Sequence, residues 1–188
     1  MTRADMDAVR DAFVQASDFG ARWGLPASDL PYFNAGMLLI DLKKVRAEKL
    51  FSAAAGFIAE HDRDLPYNDQ DGLNWAAWGR WRPLSPAWNA QLPMVLWWKA
   101  EELPEEMRYC YRLPSLIHFT GPDKPWMANV FHPWAWLYWK NLARTPFLNE
   151  IAAPAGVKPF DRFRFWWRWM RWRPDAPFSK ARPAPRPA

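Results

Sequence analysis

Half of the 188 residues are hydrophobic, which at this length predicts one domain around one buried core. The single cysteine, Cys110, excludes an internal disulfide and a cysteine-clustered metal site and predicts a buried, inert thiol. The net charge of +5 is unevenly placed: from Val157 onward nine Lys or Arg stand against Asp161 and Asp175, so this segment carries +7 and the first 156 residues −2.

Taken in chain order, Thr2–Asp7 is polar and acidic, with no signal-like apolar stretch, and no run of about 18 apolar residues follows anywhere. A cytoplasmic location is the expectation. Asp7–Phe19 is read as a helix, and Gly20–Pro31 as a loop broken by Gly24, Pro26 and Pro31. Met37–Leu42, large and apolar, reads as a buried strand. Val45–Glu60 carries Leu50, Phe51, Ala54, Phe57 and Ile58 at helical spacing, which predicts one amphipathic helix facing a sheet. After a turn over Asp62–Asn68, Asp69–Trp78 starts a second helix capped by Asn68 or Asp69. Trp81–Asn89, with Pro83 and Pro86, is an edge strand or extended loop. Leu116–Phe119 reads as a second short buried strand, and Pro133–Leu142 as a helix with proline in its first turn. Strands interleaved with helices give an α/β architecture.

Three polar segments stand out from this frame. Asn34, Ala35 and Gly36 precede the first strand, where an amide offers donors and an acceptor and glycine admits a ligand to the backbone. Asn68, Asp69, Gln70 and Asp71, with Asn74 one turn on, gather carboxylates and amides at a helix start, as ordinary caps or as groups that hold sugar hydroxyls. In His118-Phe119-Thr120-Gly121-Pro122-Asp123-Lys124-Pro125-Trp126, the imidazole is either structural or a metal ligand. Gly121 turns the backbone, and Lys124 brings positive charge to a phosphate.

The order Tyr32-Phe33-Asn34-Ala35-Gly36 before a Leu/Ile-rich strand ending Asp41-Leu42-Lys43-Lys44, then Asp69-Gln70-Asp71 with Leu73-Asn74, then Ile117-His118 through Lys124-Pro125-Trp126, is similar to the family 8 glycosyltransferases. The likeness is greatest to bacterial galactosyl- and glucosyltransferases that extend lipopolysaccharide. It covers roughly Met6 to Phe147. It implies a partial GT-A nucleotide-diphospho-sugar transferase fold over residues 1–156, lacking most of the N-terminal nucleotide-binding half. It also implies retaining transfer of Gal or Glc from a UDP-sugar to a saccharide such as lipopolysaccharide core. By the resemblance, Asn34, Ala35 and Gly36 line the donor site, Asp69 and Gln70 contact the transferred hexose, Gly121 and Lys124 hold the diphosphate, and His118 ligates Mn²⁺ or Mg²⁺. Gln70 falls beneath the anomeric carbon. An amide is a poor nucleophile, which leaves a front-face displacement or Asp71 as an alternative nucleophile, and the sequence does not choose between them.

The family's metal site also needs an Asp-x-Asp pair behind an apolar strand. The candidates here, Asp5/Asp7 and Asp62/Asp64, lack that context. The chain alone is therefore expected to bind UDP-sugar weakly, a separate N-terminal half is a conceivable partner, and the alternative reading is an inactive fragment or a membrane-associated sugar-binding subunit.

Residues 157–173 interleave aromatics with arginines. On a helical wheel Phe163, Trp166, Trp167 and Met170 share a side, with Arg164, Arg168 and Arg171 beside them. This predicts a helix attached to an anionic membrane surface through Arg164, Trp166, Trp167, Arg168 and Arg171, and the resemblance implies that the surface is the inner face of the cytoplasmic membrane, which carries a lipid-linked acceptor. Docking of the helix against another domain is the competing reading. Nucleic acid is not an expected partner, because the body is acidic and no nucleic-acid module is recognisable. Residues 174–188, rich in Pro, Ala and Arg, are expected to be disordered.

Overall fold

The structure, a computed structural model, describes residues 5–108, 110, 114–122, 124–127 and 132–172. Residues 174–188, expected to be disordered, lie outside this set. The chain divides into two compact units, Met1–Asn89 and Ala90–Ala188, where length and composition predict a single core.

The first unit is built on a three-stranded sheet of order β2-β1-β3. Its central strand, β1 (Met6–Arg10), pairs antiparallel with β2 (Phe33–Ile40) and parallel with β3 (Trp81–Pro83). The helix expected over Asp7–Phe19 is therefore a strand and a turn, and helix α1 begins only at Ala16 (Ala16–Arg22). Burial decides this: Met6, Asp7, Ala8 and Val9, consecutive positions that no single helix face would cover, are all buried, and the strand backbone is hydrogen-bonded on both sides. The acidic flanks are neutralised in place. Asp5, fully buried, pairs with Lys44 at 2.7 Å and Arg80 at 3.2 Å, and Asp7 pairs with Arg82.

β2 starts four residues before the expected Met37 and is less buried than predicted, with Leu39 57% exposed. Its register is broken: Ala8 faces Leu38 but Val9 faces Asn34, so Ala35, Gly36 and Met37 are thrown out of the ladder as a wide bulge. The single helix expected over Val45–Glu60 is two, α2 (Leu42–Ala47) and α3 (Leu50–His61), because Lys49 takes a left-handed φ of 53° between them. Asp41 caps α2 by accepting from Lys44 N at 3.2 Å. Helix α4 (Asn68–Ala76) is capped neither by Asn68 nor by Asp69. Instead Asp71 reaches back to accept from Tyr67 N at 2.8 Å. Of the segment Trp81–Asn89, expected as an edge strand or extended loop, only Trp81–Pro83 pairs as the edge strand β3, and Pro86–Asn89 turns as a 3₁₀ helix. The core of this unit gathers Met6, Ala8, Phe33, Val45, Leu50, Ala77 and Trp81, the last edge-on to Phe33 at 5.4 Å.

α3 and α4 meet closely at Gly72. A Cβ there would lie 2.6 Å from Ile58 Cγ1 and 3.0 Å from the Ala54 carbonyl oxygen, which is fixed by its helix. Gly72→Ala is expected to lower stability by about 1–3 kcal/mol through overpacking, read as a lower urea midpoint at unchanged slope. An unaltered midpoint would show that the helices separate at no cost.

The second unit holds α5 (Leu92–Val95), 3₁₀ turns at Trp97–Glu102 and Glu105–Met107, α6 (Ala135–Leu142), α7 (Leu148–Ala152) and α8 (Pro159–Trp172). The strand expected over Leu116–Phe119 is reduced to one parallel bridge between Ile117 and Ala90, and its residues are half-buried. Two bonds make that bridge, Ala90 N to Leu116 O at 2.9 Å and His118 N to Ala90 O at 3.0 Å. α6 starts two residues after Pro133. Around it lies a core of Ala135, Trp139, Leu142, Val157 and Phe165. Trp139 also donates its indole N–H to Pro125 O at 2.8 Å. Cys110 is buried, and burial pushes its thiol up to about 11, so it stays protonated and unreactive at neutral pH.

Candidate functional site

β1 ends at Arg10, and the carboxyl end of a central strand is where open α/β sheets place their ligands. Here the chain turns on Asp11, whose Oδ1 accepts from Phe13 N at 2.8 Å and Val14 N at 3.0 Å. Because β2 runs antiparallel, its first residues arrive at the same end, and so does the first turn of α4. Asp11 Oδ2 accepts from Asn34 Nδ2 at 3.0 Å and from Gln70 Nε2 at 3.2 Å. The other ends of the two amides hold the bulge: Gln70 Oε1 accepts from Ala35 N at 3.0 Å, and Asn34 Oδ1 accepts from Gly36 N at 3.0 Å and Asn89 Nδ2 at 2.8 Å. Asp11, Asn34 and Gln70 are each at least nine-tenths buried.

A second tier supports the first. Asn74 Oδ1 accepts from Phe33 N at 2.9 Å, while its Nδ2 donates to Phe33 O at 2.8 Å and Gln70 O at 2.9 Å. Tyr32 donates its hydroxyl to Asp71 Oδ1 at 2.6 Å. Burial, reinforced by the Asp71 carboxylate, pushes the Tyr32 phenol far above its ordinary range, so it remains a donor. With Oδ1 taken by Tyr32 and Oδ2 by Tyr67 N, Asp71 has both oxygens engaged in bracing the start of α4. Asp69, one position before Gln70, is exposed.

Thus Asn34, Ala35, Gly36 and Gln70 of the sequence-derived site come together, while Asp69 and Asp71 are directed to solvent and to structure respectively. Asp11 and Asn89 belong to the cluster and escaped the sequence reading. Asp11 was hidden by the helix assigned to Asp7–Phe19. The signal for it was an Asp placed to cap the two N–H groups that follow a strand, ahead of the real helix at Ala16.

His118, Gly121 and Lys124 lie in the second unit. Gly121 takes φ +78°, with nothing within 4 Å of where a Cβ would stand, so the turn itself is what requires glycine. Lys124 folds back to donate to Phe119 O at 2.9 Å, and Thr120 Oγ1 accepts from Leu92 N at 3.2 Å, so the loop is tied at both ends. His118 is half-buried. Among the described residues no three His, Cys, Asp or Glu gather as a metal site, and one imidazole does not by itself fit a divalent cation that takes about six ligands. The Asp-x-Asp pairs do not change this, since Asp5 and Asp7 are salt-bridged and Asp62 and Asp64 lie exposed in a 3₁₀ turn.

In α8, Phe165 is buried against α6 and Trp169 packs at 5.7 Å from Trp134 and 4.7 Å from Trp136, while Phe160, Phe163, Trp166 and Trp167 are exposed. Arg164 turns back to Asp161 at 3.1 Å, and Arg168 and Arg171 are half-exposed. No described helix is long and apolar enough to cross a membrane.

Residues 7–130 match the sequence model described as Glycosyl transferase family 8. General stress protein A of Bacillus subtilis (strain 168) is 34% identical over 129 residues, which are 66% of this chain and 45% of that protein. Lipopolysaccharide 1,2-glucosyltransferase of Escherichia coli (strain K12) is 28% identical over 138 residues, 71% of this chain and 39% of that protein. The chain thus spans less than half the length of these two relatives. Among solved structures, the galactosyltransferase LgtC in complex with donor and acceptor sugar analogs superimposes with a TM-score of 0.56 at 24% identity, over 86% of this chain and 56% of that one. The apo structure of the bifunctional glycosyltransferase WbbM gives a TM-score of 0.58 at 20% identity, over 78% of this chain and 29% of that one. The α/β architecture, with its small mixed sheet, accordingly resembles GT-A glycosyltransferase structures.

Proposed function

Because the chain belongs to glycosyl transferase family 8, we propose that it serves transfer of a hexose from a nucleotide sugar to a saccharide acceptor, with Asn34 and Gln70 facing the hexose and Asp11 holding the two amides in place. The observation that carries this reading is the buried carboxylate joined to two amides at the carboxyl end of β1. Sugar hydroxyls need donors and acceptors fixed in direction, and each of these side chains is already tied by its far end to backbone or to a neighbour, so little side-chain freedom is lost on binding. In the finer reading the donor is UDP-Gal or UDP-Glc, transfer is retaining, and the acceptor is a lipid-linked saccharide such as lipopolysaccharide core.

Gln70 is tethered at both ends, and an amide attacks carbon poorly. Asp71 is engaged elsewhere. A front-face displacement therefore suits these residues better than a covalent intermediate: the bond from the anomeric carbon to the diphosphate oxygen breaks, the bond to the acceptor oxygen forms on the same face, and the acceptor proton passes to the departing phosphate. Asn34 and Gln70 orient the ring, and Gly121 and Lys124 are proposed to meet the diphosphate. A divalent cation, Mn²⁺ or Mg²⁺, supplies positive charge to that leaving group when bound; His118 is proposed as one ligand only, and no step depends on it. The exposed aromatics of α8, with Arg168 and Arg171, support attachment of the protein to an anionic membrane surface as a peripheral protein.

Saturation-transfer NMR with UDP-galactose and UDP-glucose tests the sugar site, with released hexose followed in parallel. The expected result is transfer to hexose protons. Gln70→Ala should weaken that signal and lower hexose transfer or release about a hundredfold. Hexose protons that stay silent, or a Gln70→Ala protein indistinguishable from the parent, would remove this function.

A further inference from the structure

A cleft of about 450 Å³ opens between α6 and α8, with Trp136, Trp139 and Trp166 among its walls and Lys140 and Arg162 among its lining residues. That size is ample for a small-molecule group. Its composition is unusual for a structural gap. Lys140 Nζ sits over the Trp136 ring at 5.8 Å from the centroid, exposed and with no carboxylate partner among the described residues. Arg162 makes no ion pair among the described residues. The acid next to it, Asp161, is engaged by Arg164 at 3.1 Å and by Lys158 N at 3.0 Å. Two cations thus converge on an aromatic cleft with their own acid already occupied.

The position of Trp166 indicates what the cleft faces. It lines the cleft and also belongs to the exposed row of α8, with its ring 5.8 Å from Phe163, which stacks in turn at 6.4 Å on Trp167. Indole rings of this kind settle at the depth of lipid headgroups, where the phosphates of a membrane also lie. We infer that the cleft between α6 and α8 is a binding site for one anionic phospholipid headgroup, its phosphate held by Lys140 and Arg162 and its glycerol and upper acyl carbons packed on Trp136, Trp139 and Trp166. The inference rests on the membrane-attachment reading of α8 and adds a defined lipid position to what would otherwise be diffuse attraction between charges.

The test uses the full chain, the double variant Lys140→Gln/Arg162→Gln, and a control, Lys43→Gln/Arg46→Gln, which removes the same charge from exposed positions on α2. Each is titrated with dihexanoyl phosphatidylglycerol below its micelle concentration, followed by tryptophan fluorescence, and sedimented with vesicles of phosphatidylcholine containing phosphatidylglycerol. Circular dichroism confirms that the variants fold. Expected is saturable binding of the monomeric lipid by the parent and the control, weakened at least about tenfold in the cleft variant, with inorganic phosphate failing to compete. Equal lipid binding by parent and cleft variant, or none by the parent, overturns the site. Full competition by inorganic phosphate makes it a free-phosphate site and overturns the lipid assignment. Vesicle binding by all three proteins alike keeps membrane attachment and removes the cleft, whereas monomer binding without vesicle binding removes membrane attachment and keeps the cleft.

Discussion

Replacing Asn74 with leucine is expected to cost the first unit about 3–5 kcal/mol, a third or more of the stability of an ordinary domain. The side-chain amide of Asn74 acts on Phe33 as a neighbouring strand would, accepting from its N–H and donating to its carbonyl, and it also donates to Gln70 O. Phe33 is fully buried, so water cannot replace the lost partners. A leucine fills the space and leaves the Phe33 N–H and C=O unmatched, and each stranded group costs about 1–3 kcal/mol. Asn74→Asp should be no milder at neutral pH, since it presents a carboxylate to two carbonyl oxygens. Urea denaturation checks both variants, and a leucine protein within about 1 kcal/mol of the parent would show that the strand edge is satisfied by other means.

The second large effect is on acid stability. His132 is buried, its ring packs on Phe119 at 4.5 Å, and its Nδ1 accepts from Trp134 N at 3.1 Å, while Nε2 is enclosed with no partner among the described residues. Burial lowers its pKa from 6.5 to about 4. Between those values the unfolded chain binds a proton that the folded chain does not, so stability rises with pH over this window and falls as pH drops from 6.5 toward 4, by roughly 3 kcal/mol in all. Above pH 6.5 the contribution is complete. His132→Asn keeps an acceptor for the Trp134 N–H and removes the titrating ring. The variant should be less stable at pH 7, where it loses the contact with Phe119, and should show a flatter dependence of denaturation midpoint on pH between 6.5 and 4. An equally steep dependence would assign the acid loss to other groups.

What could be read from the sequence divides along physical lines. Asn34–Gly36 drew notice as polar residues ahead of a strand, although they lie within β2, and Gln70 drew notice as one of the amides and carboxylates gathered where α4 begins. The helical period of the aromatic segment agrees with α8, while Phe160, outside the expected face, is exposed and Met170, on it, is half-buried. β1 was not legible. Five residues carry too little pattern to separate a strand from part of a helix, and what decides is pairing with Phe33–Ile40 and Trp81–Pro83, far along the chain. That misreading hid Asp11. The break at Lys49 was invisible because a lysine with positive φ has no signature, and Leu116–Phe119 looked like a strand because apolar residues suit a half-buried bridge as well as a ladder.

The wide bulge in β2 has a meaning for the order of folding. The bond from Gln70 to Asp11 joins residues 59 apart in sequence, and those from Asn34 to Asp11 and from Ala35 to Gln70 join residues 23 and 35 apart. Contacts of such separation close late, since long loops must first be gathered. This cluster is also the bracket that sets the strand's break in register, so it is expected to close among the late contacts of the first unit, together with the pairing of β1 and β3, whose partners Asp7 and Arg82 are 75 apart. Protection of the Ala35 amide from exchange, through its bond to Gln70, is the expected report on closure of this bracket.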